Sequence, residues 1–187
     1  SIGRNTYLRG THFGGDYPLS GIPDCGSAYW DKIMETVENV GHEFYQVPFI
    51  LFARGAFEAA DRAGVYLQIE CDMWNVFAPD AQMNNVLWEE TKRILDTFGN
   101  HPSFLMLSPS NEPGGDWLMP LTDWVSKCRA YDSRHLYTIQ SGWPYPMEPD
   151  KITGTDYVYF HRSGFGIQQA EPSVDRVVGM VVITVNP

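Results

Sequence analysis

The stretch Gly99-Asn100-His101-Pro102-Ser103-Phe104-Leu105-Met106-Leu107-Ser108-Pro109-Ser110-Asn111-Glu112-Pro113 decides the fold. Before it, Leu87, Ile94, Leu95 and Phe98 recur on one helical face over residues 84–98. Gly99 ends that helix, and Pro102 just beyond cannot continue it. Residues 104–108 are then a short, nearly unbroken apolar run, the pattern of a strand buried on both faces. A polar, glycine-rich loop follows at 111–116. After it, Leu118, Leu121, Val125 and Cys128 return to helical spacing over 117–131. Helix, strand, loop, helix is one repeat of an α/β fold.

The same alternation extends outward in both directions. Residues 28–40 place Trp30, Ile33, Met34, Val37 and Val40 on one stripe stopped by Gly41, and residues 55–63 form a short helix stopped by Gly64. Further strand-length runs lie at 7–13, 43–52, 65–71, 136–140, 157–161 and 177–185, and all seven read as parallel strands. Polar turns follow them: Gly14-Gly15-Asp16-Tyr17-Pro18, Asp72-Met73-Trp74-Asn75, Asn111 to Asp116, and Ser141 to Pro146. The expectation is α/β, a TIM-type (β/α)8 barrel over residues 1–187 as a single domain, whose active face is built by the loops after the strands. With 187 residues against about 250 for a typical barrel, and with seven recognisable strands, the barrel is expected to be incomplete or compacted.

Composition narrows the function. Thirteen Lys and Arg against 23 Asp and Glu give a net charge of −10, which argues against a nucleic-acid or anionic-membrane surface, since both need clustered cations. No apolar run approaches the length of a bilayer span, and no basic segment leads into an apolar one as in a secretion signal. Aromatic residues make up 14% of the chain and charged residues only 19%, below the usual share of about 25%. Such a chain has flat rings to spare for a ligand with an apolar face, sugars among them. Cys25, Cys71 and Cys128 are widely spaced, form no CxxC pair, and read as small buried residues.

Glu112, beside the amide of Asn111 at a strand's carboxyl end, is the foremost candidate for chemistry. A carboxyl in that place can act as a general acid, as glycosidic cleavage requires together with a second carboxylate. The competing reading is a Glu favoured by the N-terminus of the next helix. Other candidates sit on the same face. Glu70 and Asp72 end the third strand, with Glu70 suited to bond either a sugar hydroxyl or a neighbouring side chain. Asp16 follows the first strand, and Glu171 and Asp175 precede the seventh. His12 and His161 end strands and suit sugar contact or structural hydrogen bonding equally. Trp74 and Trp143 suit stacking on a sugar or a place at the core rim. His101 reads as a turn residue. No HxH, HExxH, GxGxxG, P-loop or GxSxG spacing occurs, so no metal, nucleotide or serine-hydrolase site is expected.

The run Asn100-His101-Pro102-Ser103 into a strand ending in Asn111-Glu112 resembles the catalytic barrel of glycoside hydrolase family 2, the β-galactosidase, β-glucuronidase and β-mannosidase family. Leu8 to Phe13, Ala56 to Tyr66, Glu70 with Trp74, and Tyr137 to Trp143 fit the same pattern, so the likeness covers roughly residues 5–163. The resemblance implies Glu112 as acid/base and Asn111 as a hydrogen-bond partner of the sugar 2-hydroxyl. It implies a carbohydrate substrate, no cofactor, and a secreted or periplasmic location. Partial burial among aromatic rings is expected around Glu112, because a low dielectric keeps an acid protonated.

Two departures stand against it. The second strand, Phe44 to Ala53, lacks the family's polar residues. Where the family's seventh strand ends in the nucleophilic Glu, this chain reads Gly179-Met180-Val181-Val182-Ile183. A retaining enzyme without that carboxylate loses its covalent step. The rival expectations are therefore a non-catalytic carbohydrate-binding or vestigial barrel, and a trimmed or engineered barrel scaffold. An open barrel edge would also invite self-association.

Overall fold

The computed structural model describes residues 8–12, 21–22, 24, 26–41, 44–47, 54–141, 154–159 and 180–182. Nine strands and four helices are assigned among them: β1 (Leu8–His12), α1 (Ser27–Asn39), β2 (Phe44–Val47), α2 (Arg54–Ala63), β3 (Tyr66–Glu70), β4 (Val76–Phe77), α3 (Gln82–Phe98), β5 (Phe104–Ser108), β6 (Gly114–Gly115), α4 (Leu118–Tyr131), β7 (Leu136–Tyr137), β8 (Val158–Tyr159) and β9 (Met180–Val182). The four helices fall where periodicity and glycine stops place them.

The main sheet has the order β7-β5-β3-β2-β1-β9-β8. From β1 to β7 every neighbouring pair is parallel, so the polar loops after β3 and β5 leave from the same end of the sheet. The chain is thus a mixed α/β protein built on a parallel sheet. One strand departs from the all-parallel expectation. β9 runs antiparallel to both β1 and β8; β8 therefore keeps the direction of the parallel strands and β9 alone is reversed. Hydrophobic pattern specifies burial, not chain direction, so the apolar run at 177–185 carried no sign of this. Nor do the described strands close into a barrel: β7 and β8 lie at opposite ends of the sheet order. A single backbone bond from Asp156 N–H to Tyr137 C=O, 2.9 Å, links the segment before β8 to β7.

Alternate residues of β3 divide the sheet's two faces. Leu67 and Ile69 join the core with Phe57, Leu87, Ile94, Leu95, Leu121 and Trp124 of the helices. Gln68 and Glu70, buried as deeply at 0% and 1% exposure, take the other face. Phe57 is the hub on the helix side: its ring stacks on Phe98 at 4.5 Å with an 8° interplanar angle, and lies 5.9 Å from Phe104. A second knot forms around Thr91, whose hydroxyl accepts from Trp124 Nε1 at 2.8 Å and donates to Leu87 C=O at 2.7 Å. It joins α3 to α4, with Cys71 Sγ at 3.7 Å tying in the end of β3. Cys71 and Cys128 are free thiols in this core, and burial pushes Cys71 up to about 12. Cys25 lies outside the described residues.

Candidate active site

The Asn-His-Pro-Ser turn is fixed before β5 begins. Asp61 of α2 pairs with His101 Nδ1 at 2.6 Å and accepts the Ser103 N–H at 2.9 Å. The side chain of His101 thus has a structural role. Burial acts to raise the Asp61 pKa, but the bonds from Ser103 and His101 outweigh it and hold the carboxyl below its ordinary value. Gly99 is required at this corner because a Cβ there would lie 2.4 Å from Leu95 C=O.

Beyond Ser108 the chain does not run on as a free loop. Ser110 Oγ donates to Met73 C=O at 2.9 Å, and Asn111 N–H donates to the same carbonyl at 3.1 Å. Asn111 forms a parallel bridge with Ser141. Ser141 N–H donates to Ser110 C=O at 3.1 Å, and Glu112 N–H to Ser141 C=O at 2.8 Å. The backbone carrying Asn111 and Glu112 is therefore sewn between the ends of β3 and β7. Glu112 sits there with φ +48°, the one non-glycine residue with positive φ among those described. An L-residue in this conformation costs roughly 1–2 kcal/mol, and the bonds on either side hold it in place.

Glu112 is exposed, not partly buried among aromatic rings as expected from the sequence. The rings of Phe104 in β5 and Trp124 in α4 are buried in the core. Asn111 is half-buried beside it. Glu70 is 1% exposed, and its Oε1 accepts a hydrogen bond from Ser141 Oγ. Trp74 stands out at the surface, 66% exposed, rather than at the core rim. His12 occupies the last position of β1 in register with Gln46. Asp16, Trp143, His161, Glu171 and Asp175 lie outside the described residues. Of the residues singled out from sequence, the structure gathers Asn111, Glu112 and Glu70 around Ser141, a residue that its sequence neighbours did not mark.

A further device was missed. Val76-Phe77 and Gly114-Gly115 pair as the parallel two-residue ladder β4-β6, locking the loop after β3 to the loop that leaves Glu112. Gly114 N–H donates to Asn75 C=O at 3.0 Å, and Asp116 N–H to Phe77 C=O at 3.0 Å. Two-residue strands leave no periodicity to read; the only signal was the Gly-Gly pair. An open groove of about 520 Å³ lies beside α3, bordered by Asp72, Met73, Gln82, Asn85 and Glu90 among others. Neither Glu112 nor Glu70 lines it, so the candidate chemistry lies elsewhere. Desolvation and then the Glu90 charge raise the Asp72 pKa at its edge. Among the described residues no group of three or more His, Cys, Asp or Glu is gathered as for a metal ion, and no helix is long and apolar enough to cross a membrane.

The arrangement is a parallel α/β sheet with a strained, exposed carboxylate at the carboxyl end of a central strand. Solved structures with this fold include an FMN-binding β-glucuronidase from Facaelibacterium prausnitzii L2-6, 21% identical with a TM-score of 0.67, over 83% of this chain and 25% of that one. A Bifidobacterium dentium β-glucuronidase complexed with coumarin-3-O-glucuronide is 16% identical with a TM-score of 0.66, over 81% and 26%. A glycosyl hydrolase family 2 member from Bacteroides cellulosilyticus DSM 14838 is 15% identical with a TM-score of 0.62, over 79% and 20%. At these identities the likeness is one of fold, and the chain spans about a quarter of the length of these proteins. No family model matches the sequence, and no curated protein does.

Proposed function

We propose that the chain is part of a glycoside hydrolase of the family 2 kind, with Glu112 as general acid/base. Its five parallel strands β1, β2, β3, β5 and β7 would then be successive strands of a (β/α)8-type barrel. The observation that carries the reading is Glu112 itself: an exposed carboxylate at positive φ, pinned by backbone bonds at the strand end where such barrels keep their catalytic groups. Backbone strain of this size clusters at active sites, ligand clamps and switch regions. Glu112 would give its proton to the leaving oxygen and then take one from the attacking water, while Asn111 holds the sugar 2-hydroxyl. Glu70, His12, Asp16, Trp74, Trp143 and His161 are assigned to substrate binding, Trp74 as an exposed stacking surface. The neighbours crystallised as β-glucuronidases make an O-linked glucuronide the first substrate to try. A secreted or periplasmic location, and self-association through an open barrel edge, belong to the same reading.

A second reading has its own support. Met180–Val182 is apolar, and as β9 it runs against β1 rather than alongside it. A nucleophilic carboxylate has no place on that strand, which favours a carbohydrate-binding barrel without turnover. The experiment is sugar release from aryl β-glucuronide, β-galactoside and β-mannoside, with Glu112→Gln as the control. Release by the parent with a loss of about 10²–10⁴-fold in the variant supports the enzyme. Sugar binding with no release by either protein supports the binding module.

A further inference from the structure

We propose that Ser141 is a positioning residue that couples Glu70 to Glu112, so that the buried Glu70 carboxylate helps to fix the backbone of the proposed acid/base. This rests on the glycosidase reading for its use, but its geometry stands independently of it. Ser141 uses its two polar ends on two different strands. Its hydroxyl donates to Glu70 Oε1 at the end of β3, 71 positions away in sequence. Its carbonyl accepts the Glu112 N–H at 2.8 Å beyond β5. The remaining backbone group, its N–H, returns to Ser110 C=O at 3.1 Å, closing a ring of bonds around the loop. Ser141 and Glu70 are each 1% exposed, so water competes little for the bond between them and a loss there is not made good by solvent.

The consequence follows from Glu112 being held at positive φ. A residue in that conformation relaxes towards an ordinary one unless its neighbours prevent it, and the carbonyl of Ser141 is one of the groups that do. The placement of that carbonyl depends on where the Ser141 side chain is anchored, and Glu70 anchors it. Any change that frees the hydroxyl loosens Glu112 without touching its side chain.

The test reads the Glu112 amide directly, by NMR hydrogen exchange on the uniformly ¹⁵N-labelled full chain. Ser141→Ala and Glu70→Leu, which leaves the hydroxyl no acceptor, should each speed exchange at Glu112 about tenfold, while core amides such as Leu121 keep their rates. Ser141→Thr, which keeps the hydroxyl, should restore protection. The double variant should exchange no faster than either single one, because both remove the same link. An unchanged Glu112 amide in a folded Ser141→Ala or Glu70→Leu protein overturns the proposal, and so do additive effects. Should Ser141→Ala fail to fold, Glu70→Leu carries the same decision alone. A kinetic arm on an aryl glycoside separates the two readings: no turnover by the parent refutes the glycosidase while leaving the exchange result to judge Ser141. With turnover, Ser141→Ala should lower kcat more than it raises KM, and Ser141→Thr should recover kcat.

Discussion

Asp61 and His101 meet at 2.6 Å, with the same carboxylate also holding the Ser103 N–H at 2.9 Å. One side chain of α2 thus fixes the turn that launches β5, and with it the height at which Glu112 emerges. Asp61→Ala removes charge-assisted bonds at a partly buried site, and a loss of about 2 kcal/mol is expected in urea unfolding at neutral pH. The pH dependence follows from the depressed Asp61 pKa. A carboxyl whose folded pKa lies below its unfolded value contributes stability above the ordinary carboxylate range, and that stability is lost as pH falls through the folded pKa. The gap between parent and Asp61→Ala should therefore be full at neutral pH and shrink as pH falls below the ordinary carboxylate range. A gap that stays constant over that fall in pH refutes the assignment.

Glu112 sets function against stability. Glu112→Gly relieves the positive φ, and unfolding should show a gain of up to about 1 kcal/mol after the added freedom of the unfolded glycine is deducted. Glu112→Gln keeps the backbone strain and should leave stability unchanged, while removing the proton that the proposed acid/base role requires. A glycine variant less stable than the parent would mean that the left-handed conformation is not strained there.

Much of this was legible because helices announce their ends. Gly41, Gly64 and Gly99 mark the helix stops, and the apolar run 104–108 gives β5 its position with no long-range information. The Asn111-Glu112 pair could likewise be placed at the sheet's end. What the chain did not reveal are relations between distant residues. The bond from Ser141 to Glu70 joins positions 71 apart, and nothing local to either residue encodes it. The reversal of β9 is of the same kind, since an apolar run looks alike in either direction. The exposure of Glu112 was missed because an abundance of aromatic residues does not tell where they pack: Phe57, Phe104, Trp124 and Tyr137 lie in the core.

Thr91 is the buried polar group on which the α3–α4 contact depends. Thr91→Val keeps the shape but leaves Trp124 Nε1–H without its 2.8 Å acceptor, inside a core where Thr91 is 0% exposed. The expected cost is about 1–3 kcal/mol, the penalty for a buried donor left unsatisfied. Thr91→Ser, which retains the hydroxyl and loses only a methyl group, should cost about 1 kcal/mol. Equal losses in the two variants, measured by thermal or urea melts, would show that packing rather than the hydrogen bond matters.

Gly115 tests the clasp between the two loops at the candidate site. It has φ +75°, and a Cβ there would lie 2.5 Å from Phe77 C=O and 2.6 Å from Val76 Cγ1. Both the conformation and the approach exclude a side chain, so Gly115→Ala must open the β4-β6 ladder rather than adjust within it. The ladder is two residues long and stands apart from the main sheet, so the damage should be local. Global unfolding should shift by little more than about 1 kcal/mol, while limited proteolysis at residues 73–81 should speed up markedly. Because Gly114 and Asp116 draw on Asn75 and Phe77 for their backbone bonds, opening the clasp also frees the segment that follows Glu112. Activity should then fall further than stability does. A variant cut no faster than the parent in this segment would show that the β4-β6 pairing does not restrain it.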